Sequence, residues 1–236
     1  MNCNRIWCFG DSWGYGSELN LVRGEMPFAG ILAKKFNCDL ENLSKSGMSL
    51  GLITRTISMS LTDILPDDLV LVVIPPDSRW YTEWRTLSYS SSKDFFSDKT
   101  DQWFQYHHQL FVFAICEMLD KTKCNYLLMH NYGNFPLLES PYCFPAYHQD
   151  RFLDKQSLTA ILTNTVNDSM MPIEVEISHK TKPYSIFFGP YFQGCQCHPN
   201  QLGHQFIADK IQSKLHMMQY HDERHRSQDR GVTNAN

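Results

Sequence analysis

The sequence predicts an α/β fold, with a central parallel β-sheet and helices on both of its faces. Two observations predict it. Short apolar segments rich in β-branched residues alternate with longer segments of helical periodicity. One of the short segments, "DLVLVVIPP" at 68–76, is continuously apolar, as a strand covered on both faces must be. A chain of 236 residues is long enough to bury a substantial core as one domain.

The elements follow in order. "RIWCFG", 5–10, is a short buried strand ended by glycine. "MPFAGILAKKF", 26–36, is a helix with Phe28, Ile31, Leu32 and Phe36 on one face and Lys34 and Lys35 off it. "CDLENLS", 38–44, is a short extended piece entering a turn, and "SLGLITRTISMSL", 49–61, is a second amphipathic helix. After the strand at 68–76 comes a serine-rich segment, 88–101, expected as a surface loop. A long helix, "QWFQYHHQLFVFAICEMLDK", and another buried strand, "NYLLMHNYG", come next.

Residues 132–155 carry many prolines and aromatics without periodicity and read as an excursion forming part of a binding wall. "SLTAILTNTV" is a short helix and "YSIFFGPYFQG" a last extended piece. "HPNQLGHQFIADKIQSKLHMM" is a helix opened by a proline, with Leu202, Phe206, Ile207, Ile211 and Leu215 on its inner face. Residues 1–216 make the domain, and 217–236 form a polar tail with little to bury, expected to be disordered or loosely docked.

Composition narrows the function. Hydrophobic residues make up 42% of the chain, charged residues 19%, and the net charge is −4. There is no basic patch of the kind nucleic acid or an anionic membrane surface selects. No window reaches the roughly 18 apolar residues of a membrane span. The first residues have neither the basic nor the apolar region of a signal peptide. A cytoplasmic setting is therefore expected, with the eight cysteines as reduced thiols. Oligomeric state is not legible.

In such folds ligands gather at the carboxyl ends of the strands. Four segments fall there: "GDSWGYG" at 10–16, "NLSKSGMS" at 42–49, "PPDSRWY" at 75–81 and "GCQCHPNQLGH" at 194–204. Together, over residues 6–215, they resemble the SGNH (GDSL-type) hydrolases. The resemblance implies a three-layer, flavodoxin-like α/β sandwich and a cofactor-free serine esterase. It implies Ser12 as nucleophile, His198 as base, and the backbone N–H groups of Ser12 and Gly47 as oxyanion donors. Asn42 stands at the asparagine of the second block and is expected to tie two loops together, while Asp11 is expected to bond backbone in its own turn.

Two blocks depart from the family pattern. Where the third normally reads Gly-x-Asn-Asp, this chain has Pro75, then Asp77 and Ser78 at the oxyanion asparagine's place. An ionised Asp77 only accepts hydrogen bonds, whereas Ser78 can donate one, and Arg79 brings positive charge. The aspartate expected three residues before His198 is Cys195, a poor orienting acid with a free-thiol pKa of about 8.5.

Trp13, Arg79 and Trp80 are the candidate substrate contacts, with Tyr81 and Trp84 nearby, and the substrate class is a small-molecule or glycan ester. A hydroxyl is inert at neutral pH until a base takes its proton, and an imidazole of pKa about 6.5 suits that task. A competing class is a non-catalytic relative that binds a glycan or acylated ligand. "CQCH", 195–198, offers zinc-type ligands, but Cys-x-Cys lacks the usual two-residue gap and has no second knuckle, so no metal is expected. His204 is expected to be packed or capping, and His107 and His108 packed or solvated.

Overall fold

The computed structural model describes residues 3–17, 19–20, 24–76, 79–82, 85–88, 101–131, 146–164, 173–174, 185–186, 191–193 and 198–232. The central sheet is built from β1 (Arg5–Phe9), β2 (Asp39–Asn42), β3 (Leu69–Ile74) and β6 (Asn125–His130). Its spatial order is β2-β1-β3-β6 and every pairing is parallel. The continuous apolar run of the sequence is β3, buried at all of its positions between two neighbours.

Alternation along the strands sorts side chains into two cores. Ile6, Cys8, Leu71, Val73, Leu127 and Met129 face one side, where α2 (Phe28–Phe36), α5 (Leu158–Asn164) and α6 (Gln201–Val232) cover them. Trp7, Phe9, Val70, Val72, Tyr126 and Leu128 face the other, under α3 (Leu50–Ser60) and α4 (Asp101–Thr122). The placement follows from handedness. The chain moves from β1 to β2 in one direction and from β2 through β3 to β6 in the other. Right-handed crossovers then put α2 on one face and α3 and α4 on the opposite one. The predicted three-layer α/β sandwich is the observed architecture.

Local chemistry sets the helix limits. Ser49 caps α3 by accepting the Leu52 N–H at 3.4 Å, and Asn37 ends α2 in the left-handed region. Asn200, not Pro199, caps α6: its Oδ1 accepts the Gly203 N–H at 3.0 Å, and Pro199 lies in the short strand β10 (His198–Pro199). Ile207, Ile211 and Leu215 are buried as expected, whereas Leu202 points to solvent because it follows the cap on the outer side of the first turn. Helical backbone continues to Val232, through most of the segment expected as a tail.

Three further segments add to the sequence reading. Arg79–Thr82 (β4) and Arg85–Ser88 (β5) pair as an antiparallel hairpin outside the central sheet, against α3. The extended piece near 184–194 contributes Ser185–Ile186 (β8), paired with Ile173–Glu174 (β7), and Phe192–Gln193 (β9), paired with β10. The end of the 132–155 excursion docks into the core. It forms a 3-10 helix, Ala146–Arg151, after which Phe152 and Leu153 are buried beside Leu128. Residues 89–100 of the expected surface loop and 132–145 of the excursion lie outside the described residues.

Candidate active site

Order reverses in the sheet between β1 and β3, which is where open α/β sheets hold ligands. Ser12 lies there, opening the single-turn helix α1 (Ser12–Tyr15) straight after β1. Asp11 caps this turn, its Oδ1 accepting the Trp13 N–H at 3.1 Å, as expected of it. Ser12 is buried, and its Oγ has no hydrogen-bond partner among the described residues. A buried hydroxyl without a partner costs about 1–3 kcal/mol; a native fold tolerates that most readily where the group has chemical work.

The second loop is strapped to this turn. Leu43 N–H donates to the Cys8 carbonyl at 2.9 Å and Lys45 N–H to the Gly10 carbonyl at 3.1 Å. Asn42 Nδ2–H donates to the Gly14 carbonyl at 3.0 Å while its Oδ1 accepts the Ser44 N–H at 3.1 Å. Asn42 thus joins the two loops, as expected. A Cβ on Gly14 would stand 2.5 Å from Ser44 Oγ, so only glycine allows this approach. Gly47 ends the loop at φ +79°, a conformation that favours glycine, with nothing within 4 Å of where a Cβ would stand.

His198 comes to the same region from the far end of the chain. It is half-buried in β10, opposite Gln193, and Cα atoms of α1 and β10 approach within 8 Å. Trp13 fixes this contact through an edge-to-face pair with Phe192 at 6.3 Å, Phe192 itself pairing with Pro199. Trp13 is fully buried in that packing and belongs to the core. Arg79 and Trp80 fall in β4, past the carboxyl end of β3. Asp77, Ser78, Trp84, Cys195, Gln196 and Cys197 lie outside the described residues.

Three buried histidines surround the site. His204 Nδ1 accepts the Phe28 N–H at 3.2 Å, which places its proton on Nε2. Burial, and then neighbouring His198, push its pKa down to about 3. It is a capping residue, as expected. His108, also packed as expected, has its Nε2–H donating to the Pro75 carbonyl at 3.1 Å and its ring 5.6 Å from that of His130. Burial, then His108, hold His130 well below the usual histidine range. Both His204 and His130 therefore remain neutral at physiological pH.

Asn131 escaped the sequence reading. It is the first residue past β6, fully buried, and its Nδ2–H donates to Asp11 Oδ2 at 2.6 Å. The available signal was a polar residue placed directly after a buried strand at the carboxyl edge of the sheet.

Away from the site, Glu117, Asp120 and His148 place candidate metal-ligand atoms within 4.8 Å of one another. The imidazole stands between the acids, however, with Nε2 3.5 Å from Glu117 Oε1 and Nδ1 3.7 Å from Asp120 Oδ2. The imidazole thus turns a different nitrogen to each acid. Burial raises the Cys8 and Cys116 thiols to about 12 and Cys124 to about 11, which leaves them poor nucleophiles.

Sheet order, crossover faces and a serine turn after β1 together define the α/β fold of the SGNH, or GDSL-type, hydrolases. Solved structures agree on the fold. A G-D-S-L family protein from Desulfitobacterium hafniense superposes with a TM-score of 0.53 at 11% identity, over 89% of this chain and 99% of that one. The psychrotrophic esterase EstA from Pseudoalteromonas sp. gives 0.52 at 15% identity, over 92% and 99%. A lipolytic G-D-S-L family member from Veillonella parvula gives 0.51 at 13%, over 89% and 97%. No sequence-family model matches the chain, and no curated protein matches it by sequence. No helix among the described residues is long and apolar enough to cross a membrane.

Proposed function

We propose that this protein hydrolyses, or transfers the acyl group of, a carboxylic ester, an O-acyl group on a carbohydrate or lipid being the class considered. The reaction runs through an acyl–Ser12 intermediate. The observation that carries this reading is the Ser12 hydroxyl at the switch point, without a hydrogen-bond partner among the described residues, with the His198 strand against its turn. Names of the fold neighbours support it: one is an esterase and another a lipolytic protein.

His198 takes the Ser12 proton as Oγ attacks the ester carbonyl, and returns it to the departing alcohol. Water, deprotonated by the same imidazole, then attacks the acyl carbon and releases the acid. The backbone N–H groups of Ser12 and Gly47 receive the developing negative charge. The open space at Gly47 suits that approach. Ser78 is the preferred third donor over Asp77, with Arg79 and Trp80 as substrate contacts.

In serine proteases, replacing the orienting aspartate by asparagine costs about 10⁴ in turnover, because the wrong imidazole tautomer is held. Cys195 stands in the aspartate's place and is a poor orienting acid, so Cys195→Asp should raise the rate. Cys195 also favours a second reading, an SGNH-fold protein that binds a glycan or acylated ligand without turnover. p-Nitrophenyl butyrate separates the two. Turnover abolished by Ser12→Ala, with fluorophosphonate labelling of Ser12, supports the esterase; wild type equal to Ser12→Ala refutes it.

A further inference from the structure

We infer that Asn131 is a positioning residue for the Ser12 nucleophile, acting through Asp11; this inference rests on the acyl–Ser12 reading above. The Asp11 carboxylate is fully buried, and its two oxygens face different elements. Oδ1 accepts the Trp13 N–H at 3.1 Å and so belongs to the turn that carries Ser12. Oδ2 accepts Asn131 Nδ2–H at 2.6 Å and so belongs to the end of β6. Asp11 is covalently next to Ser12, so the angle of this carboxylate and the attitude of the serine are coupled through a single peptide unit.

Asn131 suits the anchoring end because its own backbone is fixed on both sides. Its N–H donates to the Ile74 carbonyl at 3.2 Å, and its carbonyl accepts both the N–H and the hydroxyl of Thr159. The Ser12 turn is thereby referred to β3, β6 and the start of α5 through one charge-assisted hydrogen bond in a dry environment. A buried carboxylate requires such donors, and an amide supplies one at any pH. The chemistry of position 131 is therefore specific: a donor is needed, and an acceptor is excluded.

Asn131→Asp tests this at nearly constant shape. It puts two carboxyl groups at hydrogen-bond distance in a buried place, where they ionise in two coupled steps. While the pair holds one proton, the hydrogen bond to Asp11 is kept. Once that proton is lost, repulsion turns the Asp11 carboxylate and tilts Ser12. A misplacement of about 1 Å costs on the order of 10²-fold in rate.

Near pH 8, with p-nitrophenyl butyrate, the variant should therefore lose about 10- to 100-fold in kcat with KM little changed. The ratio of variant to wild-type kcat should climb as the pH is lowered, whatever pH dependence the two proteins share. Fluorophosphonate labelling of Ser12 should follow the same ratio. Far-UV circular dichroism at each pH confirms that folded protein is compared, and Asn131→Ser, a smaller donor, should be less damaging than Asn131→Asp near pH 8. A ratio flat with pH, in wild type that turns over and labels, overturns the role of Asn131 alone. Wild type that neither turns over nor labels overturns the acyl–Ser12 reading and this inference with it.

Discussion

Replacing His204 by asparagine should flatten the acid limb of the stability curve. His204 sits in the first turn of α6 with its ring stacked on Phe28 at 5.9 Å and Nδ1 accepting the Phe28 N–H. Its folded pKa is near 3, lowered first by burial and second by His198, whereas an unfolded histidine titrates near 6.5. Above pH 6.5 the ring is neutral in both states and adds no pH dependence. Below it the unfolded chain takes up a proton that the folded protein refuses, so stability falls with pH until the folded ring also protonates near pH 3. At pH 5 the group lies about 1.5 pH units below its unfolded pKa, at about 1.4 kcal/mol each. Wild type should thus lose about 2 kcal/mol more than His204→Asn between pH 7 and pH 5. Asparagine keeps an acceptor for the Phe28 N–H, so the pH-independent cost of the change is limited. Urea unfolding followed by tryptophan fluorescence measures both slopes, and carrying His198→Asn in both proteins removes the neighbouring imidazole from the comparison. Equal losses in the two proteins would refute the assignment of a neutral, buried His204.

Other perturbations test the packing around the site. Gly203→Ala should destabilise by about 1–3 kcal/mol and slow ester turnover, since its Cβ would overlap the Tyr191 carbonyl oxygen and stand 2.9 Å from Pro199 Cβ, beside His198; thermal unfolding and p-nitrophenyl butyrate kinetics check both. Trp7→Phe should cost about 1–3 kcal/mol in urea unfolding, because the indole N–H donates to buried Asp68 Oδ2 at 2.8 Å. Cys8 should resist Ellman's reagent in native protein at pH 8 and react on unfolding, given its burial and its thiol pKa of about 12.

The sheet was legible because its information is local. β3 announces itself by a continuous apolar run, and α2 and α3 by periodicity together with a cap or a C-terminal asparagine. The parallel topology follows from their alternation. The Ser12 turn was legible for the same reason: Asp11 needs only the N–H two residues on to declare its role. What stayed hidden depends on partners far along the chain. Leu202 matched the helical period but falls just inside the cap, where the first turn faces solvent. Phe152 and Leu153 have no periodicity of their own; they are buried because Leu128 offers a place beside β6.

Asn131 shows why a site is harder to read than a fold. A core position can be filled by any apolar side chain of suitable size, so a pattern of types identifies it. A polar group at a sheet edge acquires meaning only from the group it meets, and Asn131 meets Asp11 across 120 positions of sequence. The same distinction separates Ser12 from His198. The turn is fixed by hydrogen bonds of its own and to Asn42, Lys45 and Asn131, whereas β10 is held against it by the packing of Trp13, Phe192 and Pro199. Disturbing that packing should therefore separate base from nucleophile while leaving the serine turn intact. Phe192→Ala is the discriminating change: it should impair turnover of p-nitrophenyl butyrate while the Asp11 cap on the Ser12 turn remains.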